Sequence, residues 1–435
     1  MMSEIKALET KAAPAIARVR DSLLKARHLP GEFYTSEEIF ALEVEQIFMK
    51  DWLVVARVEE FEKPGDYLAM RILGESILIC RDKKNNLNAF RNMCRHRGVE
   101  VAMPGAGNKS RFTCPYHAWT YDLTGKLIGA ARVDEVEDFD FKNCHLPTIK
   151  CDTWGGYVFV NFDPDSMSLA DHLDRDGIRD FASFIQPERT RTCHKLVFEV
   201  DCNWKFVPEN VVDMYHVGVI HANSFGGKNF TIDDMRYNLT ENTYNIFYRS
   251  DTMAPGGETF FGTMPWIRGK VDEQFACTVW VHPNMTIFGR HDLIQPISYL
   301  PIDVNRTQVT VFTQIPIEYF DNPEFSDIFD ERVKTYGDFI ALVLGEDTEL
   351  LESLHNAARS KGYEPGPLVN LERGIHHLLN YWLDRLLGPD EAARQRRLQE
   401  GAQELKDAER RYNSTAWDPT TTPSRYDAVL RTAAE

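Results

Sequence analysis

Cys94-Arg95-His96-Arg97-Gly98 is followed, with seventeen residues between His96 and Cys114, by Cys114-Pro115-Tyr116-His117. Each stretch offers one thiolate and one imidazole. A two-iron, two-sulfur cluster needs two ligands on each iron and two loops that pinch it from either side. With both cysteines on one iron and both histidines on the other, neutral imidazoles make the cluster less negative and raise its potential. Gly98, Gly105 and Gly107 allow close backbone approach, and Pro115 stiffens the second loop. Zinc is the rival occupant. Zinc sites usually draw Cys-x-x-Cys or spaced His pairs from one loop. Both pairs here are mixed, which favours the iron–sulfur reading.

Working outward, residues 52–60 and 67–80 alternate as strands do, with a turn at 74–76, and 158–162 closes the series. Gly, Pro, Asn and Asp punctuate the interval densely. This predicts a small all-β domain over 41–164. Before it, a helical segment over 1–40 places Ile16, Val19, Leu23 and Leu24 on one face, to pack on the second domain. After residue 165 the pattern is mixed: helical at 168–185, strand-like at 193–207, 277–289 and 308–316, and helical at 208–221, 325–344, 346–361 and 371–387. The expected class is α+β, with the second domain over 165–435 including a turn-rich C-terminal tail.

A second constellation lies at Asn203–His221, ending Glu209-Asn210-Val211-Val212-Asp213-Met214-Tyr215-His216-Val217-Gly218-Val219-Ile220-His221. Two histidines with one carboxylate hold a mononuclear iron and leave open positions for oxygen and substrate. Asp213 and His216 are three apart and share a helix face. His216 and His221 are five apart, so an ideal helix rotates them by about 140°. Both reach one metal only if the helix bends or ends between them, and Gly218 is the expected place. The third ligand must come from far along the chain. Asp347 is the candidate, opening a helical run, with Glu346 and Asp338 as rivals.

The boxes Cys-Arg-His-Arg-Gly and Cys-Pro-Tyr-His-Ala-Trp resemble those of the Rieske non-haem iron oxygenase α-subunits. So does the run Asn203-Trp204-Lys205, Glu209-Asn210, Asp213-x-Tyr215-His216 and His221. The resemblance spans roughly residues 40–385. It implies a Rieske [2Fe-2S] cluster on Cys94, His96, Cys114 and His117. It also implies a mononuclear Fe(II) on His216, His221 and Asp347, in a catalytic domain of helix-grip type whose antiparallel sheet is covered by helices. Asp213 is then the acid that joins a neighbouring chain's cluster histidine, His117, to His216, and Asn210 sits near the iron. Where the family often has Gln-x-Gly after the acid, this chain has His355-Asn356-Ala357. A homotrimer, with or without a small β-subunit, is expected. No Gly-x-Gly-x-x-Gly fingerprint or ferredoxin cysteine set is present. Electrons from NAD(P)H would therefore come through a separate reductase or ferredoxin, with O2 as co-substrate.

The net charge of -17 disfavours nonspecific binding to nucleic acid or anionic membranes. No apolar run is long enough to span a bilayer, and the amino terminus lacks an apolar signal core, so a cytoplasmic setting is expected. The substrate pocket is expected around Phe206, Val207, Met214, Phe225, Val281 and Ile287. That lining favours ring hydroxylation of an apolar, aromatic substrate. Oxidative N- or O-dealkylation of an aromatic or alkylammonium compound is the alternative. The aromatic stretches at 242–248 and 259–269 could cage an alkylammonium group by cation–π contact. A different class remains open: an electron carrier whose second domain only holds a ligand.

Overall fold

The computed structural model describes residues 12–224, 235–250, 252, 254, 257, 259–267 and 275–412. Phe225 and the tail beyond 412 lie outside the described residues. Two compact units form: Phe48–Leu169, and the residues up to Ile47 together with those from Ala170 onward. The chain therefore divides at 48 and 169, where the sequence reading put 41 and 164.

In the first unit the strands are β1 Leu53–Arg57, β2 Asp66–Ile72, β3 Glu75–Arg81, β4 Leu87–Arg91, β5 Gly105–Asn108, β6 Phe112–Thr113, β7 Thr120–Tyr121, β8 Leu127–Gly129, β9 Thr148–Trp154 and β10 Tyr157–Asn161. One antiparallel sheet runs β1-β10-β9-β4-β3-β2-β5, and a small one runs β6-β7-β8. The first cysteine box follows β4, and the second is the loop between β6 and β7. The core of Leu78, Phe90, Phe112, Tyr121 and Leu127 takes in Cys94 and Cys114, so packing fixes both thiols.

The second unit holds β11 Thr190–Val200, β12 Met235–Leu239, β13 Tyr244–Arg249, β14 Phe275–Val281, β15 Met285–Arg290, β16 Ile294–Asp303 and β17 Arg306–Pro316. They form an antiparallel sheet in the order β11-β17-β16-β15-β14-β13-β12. β11, at the edge, alternates half-buried and exposed positions through its second half, while the inner β16 is buried through its first eight residues. An inner strand covered on both faces loses the polar–apolar alternation. The helices used below are α1 Phe206–Val212, α2 Val217–Ile220, α3 Phe329–Ala358, α4 Arg373–Leu387 and α5 Glu391–Tyr412. α3 packs on α1 and β11, and α4 packs on α1.

Three local expectations are corrected. Residues 12–19 are helical, and Ile16, Val19 and Leu23 are buried, but Leu24 is 65% exposed. The α-helix stops short of it and a 3-10 turn, Leu23–Lys25, redirects the side chain. The two helices expected over 325–361 are one. Tyr336, Ile340, Val343, Asp347, Leu351 and His355 are all buried along α3. That stripe, spaced by three and four, outweighs the cost of about 1 kcal/mol for a glycine such as Gly345 in mid-helix. Finally, Gly218 lies inside the one-turn helix α2, and the helix end expected between the two histidines falls just before His221 (φ -93, ψ 21) rather than at Gly218.

α1 is held from behind by Gly374 of α4. A Cβ there would stand 2.2 Å from Val212 Cγ2. Gly374→Ala is expected to destabilise the protein by about 1–3 kcal/mol by overpacking, despite alanine's better helix propensity. Adding Val212→Ala is expected to restore most of the lost melting temperature. No recovery in the double variant would rule out this contact as the cause.

Candidate metal centres and active site

The two cysteine loops are folded alike. Gly98 N donates to Cys94 O at 2.8 Å, and Ala118 N donates to Cys114 O at 3.0 Å. The closing residues, Gly98 (φ 79) and Ala118 (φ 57), are both left-handed. That region favours glycine, and the second loop reaches it with alanine. The same turn twice presents two equivalent ligand pairs. Cys94 and Cys114 are buried while His96 and His117 are exposed. The histidines converge, with His96 Nδ1 3.1 Å from His117 Nδ1. Tyr121 holds the first loop from inside: Arg95 N donates to its hydroxyl at 2.9 Å, and that hydroxyl lies 3.3 Å from Cys94 Sγ. Trp119 stacks on His96. Two inner thiols and two outer imidazoles are the donor set of a mixed-ligand [2Fe-2S] cluster.

In the second unit, buried polar contacts anchor the start of α1. Trp204 Nε1 donates to Glu43 Oε2 at 2.8 Å, and Lys205 pairs with the same carboxylate. Tyr34 OH donates to Glu209 Oε1 at 2.8 Å. Burial pushes the Glu209 carboxyl up to about 8, against the Tyr34 hydrogen bond and the Lys205 charge. With α1 fixed, the chain turns extended at Asp213, and the one-turn helix α2 follows, bracketed by His216 and His221. The bracket brings the two rings to 5.3 Å between centroids.

α3 supplies the acids. Asp347 Oδ1 lies 3.5 Å from His216 Nε2 and 3.3 Å from His221 Nε2. One ligand atom from each of the three residues falls within 4.8 Å of the others. Separations near 3.5 Å suit ligands bound about 2.1 Å from one first-row metal ion. Asp347 sits in the middle of α3 rather than opening a helix. Glu346 is not the third corner. Successive helix residues diverge by about 100°, and Glu346 Oε2 instead meets His221 Nδ1 at 2.8 Å and Ser224 Oγ at 2.7 Å. Asp338 is exposed and pairs with Lys334. Burial would lower the His221 pKa, but hydrogen bonds and charge from Asp347 and Glu346 outweigh it and hold the imidazole above its ordinary value. Asp213 Oδ2 stands 3.1 Å from His216 Nδ1, and Asp213 Oδ1 accepts from Tyr215 N at 2.7 Å. Asn210 Nδ2 donates to Asp347 Oδ1 at 3.2 Å. Each histidine thus has a carboxylate behind its Nδ1, which leaves Nε2 facing the cavity.

That cavity, about 160 Å³, is lined by Asn210, Asp213, Met214, His216, His221 and Asp347 at the acid end. Ile340, Val343 and Leu344 of α3 line it further along, with Tyr248, Phe288, Arg290, Gln295 and Ile297 from the sheet. A volume near 150 Å³ holds a benzene-sized molecule. Of the expected lining residues, Met214 is present. Phe206 and Val207 are core instead, Phe206 stacking on Tyr34 at 4.1 Å. Val281 and Ile287 are on the other face of the sheet. Ile287 pairs with Val279 and Pro296, whereas the next residue, Phe288, pairs with Gln295. A strand's side chains alternate between faces, so an error of one residue exchanges them all. Tyr248 lines the cavity, but Phe260 and Phe261 pack on Tyr336, Phe325 and Phe329. Sequence reasoning missed Arg290 and Gln295, which sit among apolar strand residues with no motif around them. Ile340, Val343 and Leu344 were missed as well, although a signal for them existed: they share the helical face of Asp347.

The chain matches two family models: a Rieske [2Fe-2S] domain over residues 51–140 and the catalytic domain of the ring-hydroxylating α-subunit over 187–388. It is 30% identical over 335 residues to the carnitine monooxygenase oxygenase subunit of Acinetobacter pittii, covering 77% of this chain and 86% of that one. It is 25% identical over 389 residues to the chloroplastic choline monooxygenase of Arabidopsis thaliana, covering 86% of each. The solved structure of the quaternary ammonium Rieske monooxygenase CntA with gamma-butyrobetaine superimposes with a TM-score of 0.68 at 25% identity, covering 86% of this chain and 98% of that one. Naphthalene 1,2-dioxygenase from Rhodococcus sp. gives 0.71 at 20% identity, covering 88% and 99%, a likeness of fold alone. No described helix is long and apolar enough to cross a membrane. With a cluster domain, a non-haem iron catalytic domain and these relatives, the chain belongs to the Rieske non-haem iron oxygenase α-subunit family and is a terminal oxygenase carrying a Rieske [2Fe-2S] cluster and a mononuclear iron.

Proposed function

We propose that this oxygenase acts on a quaternary ammonium compound. It oxidises a carbon next to the charged nitrogen or one bond beyond, rather than hydroxylating an aromatic ring. The observation that carries this reading is the 30% identity to a carnitine monooxygenase over most of both chains. The expectation of ring hydroxylation is withdrawn: the aromatic-ring enzyme among the structural matches shares the fold at 20% identity, while the nearer relatives are named for carnitine and choline. The cavity agrees. Tyr248 and Phe288 line it together with Asp213 and Asp347, and aromatic rings and carboxylates both attract an alkylammonium.

In this reading Cys94, His96, Cys114 and His117 hold the cluster, and His216, His221 and Asp347 hold the iron. When bound, the two centres supply electrons and oxygen activation. The chain's own residues do the rest. Asp213 and Glu346 fix the Nδ1 sides of His216 and His221, and Asn210 orients Asp347. Ile340, Val343 and Leu344 exclude water and leave a small apolar slot. Hydroxylation of a carbon bonded to nitrogen gives a product that breaks to an aldehyde and a tertiary amine. A separate NAD(P)H-fed reductase or ferredoxin and a homotrimer belong to the same proposal.

The test is product identification. The holoprotein, supplied with a reductase, NAD(P)H and oxygen, is offered trimethylammonium compounds and naphthalene in parallel. An aldehyde with amine release, or an oxidised side chain, is expected from the former. A ring diol from naphthalene with no turnover of any ammonium compound would refute the reading.

A further inference from the structure

Two surfaces of this chain are opposite in charge, and each adjoins one of the two metal centres. The first is a cleft of about 240 Å³ in the second unit, lined by Pro14, Ala15, Arg18, Arg27, His28 and Pro365. No acid lines it, in a chain whose net charge is -17. Arg18 is exposed and has no ion-pair partner among the described residues. Arg27 donates from Nη1 to Ala26 O at 2.8 Å, a neutral acceptor that does not cancel its charge. His28 Nε2 stands 3.8 Å from Glu372 Oε1. Burial lowers the His28 pKa and the Asp213 carboxylate opposes it, so the cleft lies within electrostatic reach of Asp213. Next to Asp213 in the chain, Tyr215 and Val219 are exposed.

The second surface is in the cluster unit. Residues 135–140 read Glu-Val-Glu-Asp-Phe-Asp, four acids and no base. Glu135, Glu137, Asp138 and Asp140 are all exposed. Glu135 has Arg132 at 3.9 Å, and Asp140 Oδ1 accepts from Asn143 N at 3.1 Å. Glu137 and Asp138 have no ion-pair partner among the described residues. Phe139 ties this strip to the cluster loops. Its ring lies 5.5 Å from Trp119, which stacks on His96 at 5.1 Å. The exposed Tyr116 lies 3.8 Å from His117.

Exposed apolar side chains beside unpaired charges mark a surface that an assembly covers. The cleft and the strip are different surfaces of one chain, so pairing them between copies is head-to-tail, the kind of contact that builds rings. We propose that the cleft at Arg18 and Arg27 is a carboxylate socket whose occupant is the strip 135–140 of a second copy of this chain. Guanidinium and carboxylate pair through two parallel hydrogen bonds, which gives such a contact direction as well as strength. It holds the neighbour's cluster histidines in register with Asp213. The proposal rests on the homotrimer put forward above and is independent of the substrate.

The test is charge reversal in the full-length holoprotein. One variant carries Arg18→Glu and Arg27→Glu, a second carries Glu137→Lys and Asp138→Lys, and a third carries all four changes. Mass is followed by light scattering over a dilution series, and cluster reoxidation with substrate and oxygen by rapid mixing. Iron content per chain reports folding. Each double variant is expected to keep its iron, to dissociate at about 100-fold higher concentration than the wild type, and to reoxidise slowly where it is monomeric. The fourfold variant is expected to recover both properties, because every socket then meets a strip of opposite charge. If the double variants assemble and reoxidise like the wild type, the socket is refuted and the trimer stands. If they fall apart and the fourfold variant does not recover, the strip is not the occupant. If acetate or phosphate binds the wild type tightly by calorimetry while reversal leaves the ring intact, the cleft is a small-anion site and the docking is refuted. A wild type that is monomeric throughout the dilution series overturns the homotrimer and the docking together.

Discussion

Asp347→Ala is expected to leave two irons per chain where the wild type holds three, and to abolish turnover. The visible spectrum of the cluster should be unchanged, because its four donors lie in the other unit. The reason is geometric. Asp347 Oδ1 is the one carboxylate oxygen that stands within 3.5 Å of both His216 Nε2 and His221 Nε2 among the described residues. Its removal would take away one of the three proposed ligands. Loss of even an outer hydrogen-bonding partner costs 10- to 100-fold in affinity or activity, so the loss here should exceed about 100-fold. Glu346 cannot substitute, since its carboxylate is engaged by His221 Nδ1 and Ser224. Iron analysis with steady-state assays checks this. A variant that keeps three irons and wild-type activity would disprove the ligand assignment.

Asp213→Ala is expected to retain all three irons and still lose most coupled turnover, by about 100-fold. Asp213 touches no ligand atom that faces the cavity. It stands behind His216, 3.1 Å from Nδ1, and its other oxygen caps the Tyr215 amide. In the proposed reading it is therefore a positioning residue, which would hold His216 from behind and, by the family resemblance, join it to the cluster histidine of a neighbouring chain. Asp213→Asn keeps the amide acceptor for Tyr215 but loses the charge, so it should be nearly as impaired. The discriminating readout is rapid mixing: the reduced cluster should reoxidise slowly in the presence of substrate and oxygen, although the metal content is normal. If the slow variant instead lacks the mononuclear iron, Asp213 serves metal retention rather than coupling.

The sequence determined the cluster motif by itself. Cys94, His96, Cys114 and His117 lie in two short loops, and each loop's ligand geometry is local: a cysteine carbonyl accepts from the amide four residues on, at Gly98 or Ala118. Nothing distant is needed to bring each pair together. The same holds for the His216–His221 pair, although the helix end that lets them converge falls just before His221 rather than at Gly218. Only the tertiary structure could decide the rest. The choice between Glu346 and Asp347 depends on the rotational phase of α3, and that phase is set by a thirty-residue stripe packed on α1 and β11. The choice between Ile287 and Phe288 depends on which face of β15 meets α3, a matter of register that period-two alternation cannot orient when both faces are buried. Arg290 and Gln295 are far from any motif. They line the cavity because the sheet and α3 close around them, and no local pattern encodes a meeting of residues so distant in sequence from α3.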